Sequence, residues 1–121
     1  MISSVLTLLL AASSAQSDTT RTAREAYTAC LRGFVQRSVD ARMSQADFTA
    51  QFPQQCTQQE AAFRSAVIAR ENALRATRAN AEQAATDEID EAKTNFRERF
   101  EMSLPESAAP AATASATPQA Q

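Results

Sequence analysis

Cys30 and Cys56 are the first residues of this sequence whose type and spacing could support chemistry. Three chemistries are open to such a pair: a structural disulfide, a redox-active dithiol, or part of a metal site. Redox dithiols usually lie close together as Cys-x-x-Cys, with one acidified thiolate, and these two cysteines do not. A zinc site needs about four ligands, and the chain contains no histidine. In an exported chain the pair therefore predicts a disulfide, which should remove about 3 kcal/mol of unfolded-state entropy.

Four carboxylates, at Asp87, Glu88, Asp90 and Glu91, are the other candidates for chemistry. A catalytic pair needs a concave, partly dry site that separates the two pKa values, and a single polar helix offers none. We interpret these four as a solvated face, with weak binding of divalent cations as the alternative. Histidine, the commonest general base, is absent, and the single glycine cannot form a phosphate-binding loop. The sequence therefore predicts a protein that is not an enzyme and has no cofactor.

The N-terminal segment, residues 1–15, is typical of a secretory signal peptide. An apolar run from Val5 to Ala12 is followed by small residues up to Ala15. The run is shorter than the roughly 20 apolar residues that span a bilayer. No lysine or arginine precedes it, so the alternative is an uncleaved apolar N-terminus. We predict export, cleavage after Ala15, and a periplasmic or secreted location.

Helical periodicity predicts that residues 18–103 form one helical domain. Its helices should cover about residues 19–43, 45–52 and 57–102. The second of these should end at Pro53, because the residue before a proline disfavours the helical conformation.

The third predicted helix, residues 57–102, is the longest element. Thr57 and Glu60 have the spacing of a capping box. No glycine or proline interrupts the alanine-rich sequence that follows. At 1.5 Å per residue, a continuous helix would be a rod of roughly 70 Å.

Few large apolar residues are available to hold these helices together. The face that packs the first helix against the third is predicted to contain Tyr27, Leu31, Phe34, Phe63 and Val67. The middle of the long helix offers only alanine, which could hold a partner only weakly. We therefore predict an all-α fold: a disulfide-pinned helical hairpin with one long projecting helix.

Opposite charges follow one another along the long helix, with arginines before about Asn80 and carboxylates after it. Two copies laid antiparallel about this point would pair the two charges and pack alanines at close approach. Such an isologous two-fold arrangement is the commonest oligomer symmetry. The predicted contacts of this homodimer, similar to a short coiled coil, are Arg70, Arg78, Ala81, Glu82, Ala85 and Asp90.

Other partners are less well supported by the composition. The net charge is −2, and the basic stretch of the long helix is interrupted, so no nucleic-acid partner is expected. The first helix is amphipathic but lacks tryptophan, so contact with a membrane is not expected either. Residues 104–121 are rich in alanine, proline, serine and threonine, a composition that predicts a disordered tail.

The sequence contains Tyr27-Thr28-Ala29-Cys30, and a second cysteine directly before a helix start, Cys56-Thr57-Gln58-Gln59-Glu60. In both features it resembles small exported bacterial helical proteins with one disulfide. The resemblance covers about residues 20–100. It implies a disulfide-linked helical fold and carries no activity with it.

Together these patterns predict a non-enzymatic exported protein that acts through helix-to-helix contact or self-association, with a protein partner that the sequence does not identify. Two alternatives stay open. One is a chaperone-like holder of unfolded envelope proteins that uses the projecting helix as an arm, and the other is a membrane-surface helical protein.

Overall fold

The computed structural model describes residues 3–105, with side chains from Ala15 onward. Its helices are α1 (Ser3–Asp40), α2 (Gln45–Gln51), α3 (Thr57–Ala73) and α4 (Arg78–Ser103), and a 3₁₀ turn (Phe52–Gln54) follows α2. The predicted all-α, disulfide-pinned fold is confirmed. Residues 106–121 of the predicted disordered tail lie outside the described residues.

The prediction of one continuous helix over residues 57–102 is wrong, because the chain reverses between α3 and α4. Arg75 adopts a left-handed conformation with φ 65°. The amide of Ala76 donates to the carbonyl of Glu71, and the amide of Arg75 donates to that of Asn72. These two bonds define a Schellman C-cap, which normally has glycine at the left-handed position. This turn contains neither glycine nor proline, so it could not be recognised from the usual turn residues.

The new helix, α4, begins at a polar cap. The Thr77 hydroxyl accepts a hydrogen bond from the Asn80 amide at 3.2 Å. Ser44 caps α2 in the same way, through the Asp47 amide at 3.1 Å. Threonine and serine suit this position because their oxygens satisfy an amide that has no partner inside the helix.

The capping box predicted at the start of α3 is absent. Cys56 occupies the cap position with φ 60°, and no side chain caps this end of the helix. The carboxylate of Glu60 instead contacts Lys93 of α4 at 3.0 Å. The carbonyl of Cys56 accepts a hydrogen bond from the Glu60 amide at 2.8 Å, and its side chain is bonded to Cys30 of α1.

The three long helices, α1, α3 and α4, form a bundle in which α3 packs against both of the others. The Thr20 hydroxyl of α1 donates to the Ala66 carbonyl of α3, while Cys30 is bonded to Cys56 at the start of α3, so these helices run antiparallel. The short turn before α4 makes α3 and α4 antiparallel as well. As a result, α1 and α4 run parallel to each other.

Aromatic residues close the end of the bundle where α2 packs. The ring of Phe48 from α2 stacks on Phe100 with centroids 3.9 Å apart, and lies 5.5 Å from Phe34 and 5.0 Å from Phe52. Elsewhere in the core the helices approach each other closely, because the fully buried residues Ala81 and Ala85 of α4 have small side chains. The short α2 therefore provides the partner for Phe100 of α4.

The predicted signal segment contributes the start of α1, which begins at Ser3. No helix of the described residues is long and apolar enough to cross a membrane. Export and cleavage after Ala15 stay predictions.

Candidate functional site

A groove runs between the parallel helices α1 and α4. Its upper cavity has a volume of about 290 Å³ and includes Arg24, Glu91 and Asn95. Its middle cavity has a volume of about 370 Å³ and includes Val35 and Gln36. The two cavities share Arg32, Phe96 and Arg99, so they are adjacent.

The lower cavity extends the groove beyond the end of α1. It has a volume of about 520 Å³ and shares Val39 and Ser103 with the middle cavity. Its apolar lining comes from Val39, Met43, Phe100 and Leu104. We call the three adjacent cavities the α1/α4 groove.

Arginines dominate the charge of this groove. Arg24, Arg32, Arg42 and Arg99 line it, against the carboxylates of Glu88 and Glu91. The Arg99 guanidinium lies over the Phe96 ring, with 4.8 Å between its central carbon and the ring centroid. Within residues 15–105, neither Arg32 nor Arg99 forms an ion pair. Two exposed guanidiniums therefore flank a largely buried aromatic ring without a carboxylate partner.

Glu88 is the one carboxylate of the groove that is already neutralised. It forms ion pairs with Arg24 of α1 and with Arg70 of α3, the latter at 2.5 Å. Burial raises the pKa of the Glu88 carboxyl, but the hydrogen bonds and charges of the two arginines outweigh burial and hold the pKa below its ordinary value. The same hydrogen bond raises the pKa of Arg70. This network links all three long helices at the upper end of the groove.

A second polar network lies inside the bundle, around the only tyrosine. Tyr27 is fully buried, and its hydroxyl lies 3.5 Å from a Glu60 oxygen that also contacts Lys93. Burial, with the charge and hydrogen bond of Glu60, raises the pKa of Tyr27 above its ordinary value. Because the phenol is inaccessible and neutral, this network supports the fold rather than a ligand.

The predicted disulfide between Cys30 and Cys56 is confirmed, with the two Cα atoms 6.0 Å apart. The predicted packing face also lies in the core. All five of its members are at most 6% exposed: Tyr27, Leu31, Phe34, Phe63 and Val67. These residues position α1 against α3 and lie mostly away from the groove.

The residues predicted to contact a second copy are used differently. Ala81 and Ala85 are fully buried within one chain, so they cannot pack against a partner. Arg78 pairs with Glu82 of its own helix at 3.0 Å. Arg70, predicted to meet Asp90 of a partner, binds Glu71 and Glu88 instead. Most of the predicted contact residues are thus engaged within one chain, and self-association stays a prediction.

The interpretation of four carboxylates as a solvated face is wrong for one of them. Asp87, Asp90 and Glu91 are exposed, and Asp87 accepts a hydrogen bond from Gln83 of its own helix at 2.8 Å. Glu88 is partly buried by its two arginines, which sequence spacing did not reveal because both come from other helices.

The groove residues Arg32, Phe96 and Arg99 were missed at the sequence level, although a signal existed. Most arginines of the chain have a carboxylate three or four residues away, where it can pair along a helix. The arginines without one are Arg24, Arg32, Arg42, Arg70 and Arg99. All but Arg70 line the groove. Locally unpaired arginines thus indicate the groove face.

No protein-family model, curated protein or solved structure matches this chain.

Proposed function

We propose that this chain is an exported, non-enzymatic interaction protein, periplasmic or secreted, that binds a segment of a protein partner in the α1/α4 groove. The observation that carries the proposal is the pair of guanidiniums at Arg32 and Arg99, which flank Phe96 without an ion-pair partner in the described part of the chain. Recognition sites of proteins are enriched in arginine and aromatic residues.

The location is supported by the covalent chemistry of the chain. A disulfide bond is typical of proteins in oxidising compartments and is rare in the bacterial cytosol. The bond between Cys30 and Cys56 is therefore compatible with export, and it agrees with the apolar run that precedes Ala15.

The chaperone-like alternative depended on a projecting helix. The turn at residues 74–77 folds that helix back onto α3. Since the described residues offer no such arm, the groove provides the better supported surface for a partner.

Site-specific photo-crosslinking in the native envelope tests the proposal. A photo-crosslinking amino acid replaces Asn95, which is exposed and lines the upper cavity. The matched control replaces Thr94, its neighbour on α4, which is also exposed but lies outside the cavities described here. We expect a defined crosslinked product from position 95 and not from position 94.

A blocking substitution completes the design. Gln36 is exposed and lines the middle cavity, so Gln36→Trp should obstruct the groove without entering the core. The product from position 95 should then disappear. Equal products from both positions, or a product that survives Gln36→Trp, would contradict binding in the groove.

A further inference from the structure

We propose that the partner segment is an acidic amphipathic helix whose carboxylates meet Arg32 and Arg99 and whose apolar residues enter the lower cavity. This inference rests on the proposed function, because it names the chemistry of the segment that occupies the groove.

The charge of the groove favours an acidic occupant. Arg24 is paired with Glu88, but Arg32, Arg42 and Arg99 line the groove without an ion pair in residues 15–105, against the one carboxylate of Glu91. A basic or neutral segment laid between Arg32 and Arg99 would leave both guanidiniums without a partner, partly removed from water. Covering a charge without pairing it is unfavourable, so carboxylates are the groups that fit this part of the groove.

The geometry of Arg99 prepares it to bind a carboxylate. The central carbon of its guanidinium lies 4.8 Å from the Phe96 ring centroid, and this cation–π contact restricts the side chain. The N–H groups point along the edges of the guanidinium plane, where a carboxylate can accept two parallel hydrogen bonds. A guanidinium held in this way loses less conformational entropy on binding than a free lysine would.

The groove also has a direction. Glu91 lies at its upper end, Arg99 lies about 12 Å further along α4 by the helical rise, and Leu104 is about 7 Å beyond that. The segment should therefore carry its carboxylates near the middle and its apolar residues at the end that reaches Met43 and Leu104. A basic residue would suit the end near Glu91.

A helix fits this surface better than an extended strand. The groove lies between two parallel helices of a three-helix bundle and presents no sheet edge for an extended chain to pair with. A fourth helix laid between α1 and α4 would complete a four-helix arrangement, and an amphipathic helix in an apolar groove is a common recognition mode. From Glu91 to Leu104 the groove accommodates about 13 helical residues at 1.5 Å each.

Defined peptides test this chemistry with the full chain. The probe is a fluorescent amphipathic helix of about 14 residues with a leucine and alanine face and glutamates in its middle. Its matched control has glutamine in place of every glutamate. By fluorescence anisotropy we expect the acidic peptide to bind at least tenfold more tightly at low salt, with a difference that shrinks as salt rises.

Two double variants of equal charge locate the interaction. Arg32→Gln with Arg99→Gln should lower the affinity for the acidic peptide at least tenfold. Arg21→Gln with Arg78→Gln removes the same charge from exposed positions outside the groove, and it should change the affinity less than threefold. Unchanged circular dichroism would show that both variants retain the fold.

Several results would overturn the inference. These are no binding of the acidic peptide at millimolar concentration, equal binding of the glutamine peptide, or equal losses in the two double variants. Binding of a single-stranded oligonucleotide as tightly as the acidic peptide would assign the groove to polyanions. Dimerisation abolished by the Arg32 and Arg99 substitutions would assign it to a second copy. If any of these results is found while position 95 still gives its crosslinked product, the inference fails and the proposed function stands. If position 95 gives no crosslinked product, the proposed function itself fails.

Discussion

Replacing Arg75 by glycine should stabilise the protein, because this residue adopts a left-handed conformation in the turn between α3 and α4. A left-handed conformation costs a residue with a side chain roughly 1–2 kcal/mol, and glycine avoids that cost. Glycine loses more backbone entropy on folding, about 0.5–1 kcal/mol. The net gain should be about 0.5–1 kcal/mol, or a rise in Tm of about 2–8 °C for a domain of this size.

The sign of this effect separates the hairpin from a continuous helix. In a rod over residues 57–102, position 75 would be a helix interior, where glycine costs about 1 kcal/mol relative to alanine. The control Arg75→Ala removes the same charge but keeps the left-handed strain, so it should leave stability nearly unchanged. Arg75 forms no ion pair within residues 15–105 that either substitution would break.

Thr77→Ala provides the complementary variant. The Thr77 hydroxyl caps α4 through the Asn80 amide, so its loss should destabilise the protein by about 1 kcal/mol. In a continuous helix the same change would stabilise, because alanine is the better helix former. Urea unfolding followed by circular dichroism measures all three variants. Destabilisation by Arg75→Gly together with stabilisation by Thr77→Ala would refute the hairpin.

Four further predictions concern single side chains. Cys56→Ser should lower the free energy of unfolding by about 3 kcal/mol, and adding reductant to the wild type should reproduce this loss in urea unfolding. Glu88→Gln should cost about 1 kcal/mol near neutral pH. The pKa of the Glu88 carboxyl is lowered in the folded state, so its contribution to stability is present above the ordinary pKa of 4.5 and is lost as the pH falls below that value. The free energy of unfolding should therefore depend less on pH in the variant than in the wild type on the acid side. Gly33→Ala should stabilise α1 by up to about 1 kcal/mol in thermal melts, since the added Cβ would meet only the mobile end of Arg37, at 3.1 Å. The pKa of Tyr27 is raised in the folded state, so its contribution to stability is present below the ordinary pKa of 10.0 and is lost as the pH rises above that value. The absorbance of tyrosinate should therefore appear only when the protein unfolds at alkaline pH. Titration of the phenol near pH 10 in the folded protein would contradict the burial of the only tyrosine.

Periodicity and cysteine chemistry were enough to predict the all-α fold, the disulfide and the buried face of α1. The helical faces follow from the spacing of residues within one helix. The disulfide follows because the chain has only two cysteines, Cys30 and Cys56, which can pair in only one way. The reversal at Arg75 could not be predicted in this way, because its hydrogen bonds are made by backbone groups. The groove was missed for a different reason. It is built from α1 and α4, whose parallel alignment follows only once the turn is known.

The same turn explains why Ala81 and Ala85, which were predicted to contact a second copy, pack inside the chain instead. Joining two segments by a short linker gives an effective concentration in the millimolar range. At about ten micromolar protein, a second copy is roughly a hundredfold more dilute, a disadvantage of about 2.8 kcal/mol at 1.4 kcal/mol per tenfold. The left-handed conformation of Arg75 costs less than this, about 1–2 kcal/mol. Folding back therefore buries Ala81 and Ala85 more favourably than dimerisation would, and it leaves the groove between α1 and α4 as the surface on which a different helix can pack.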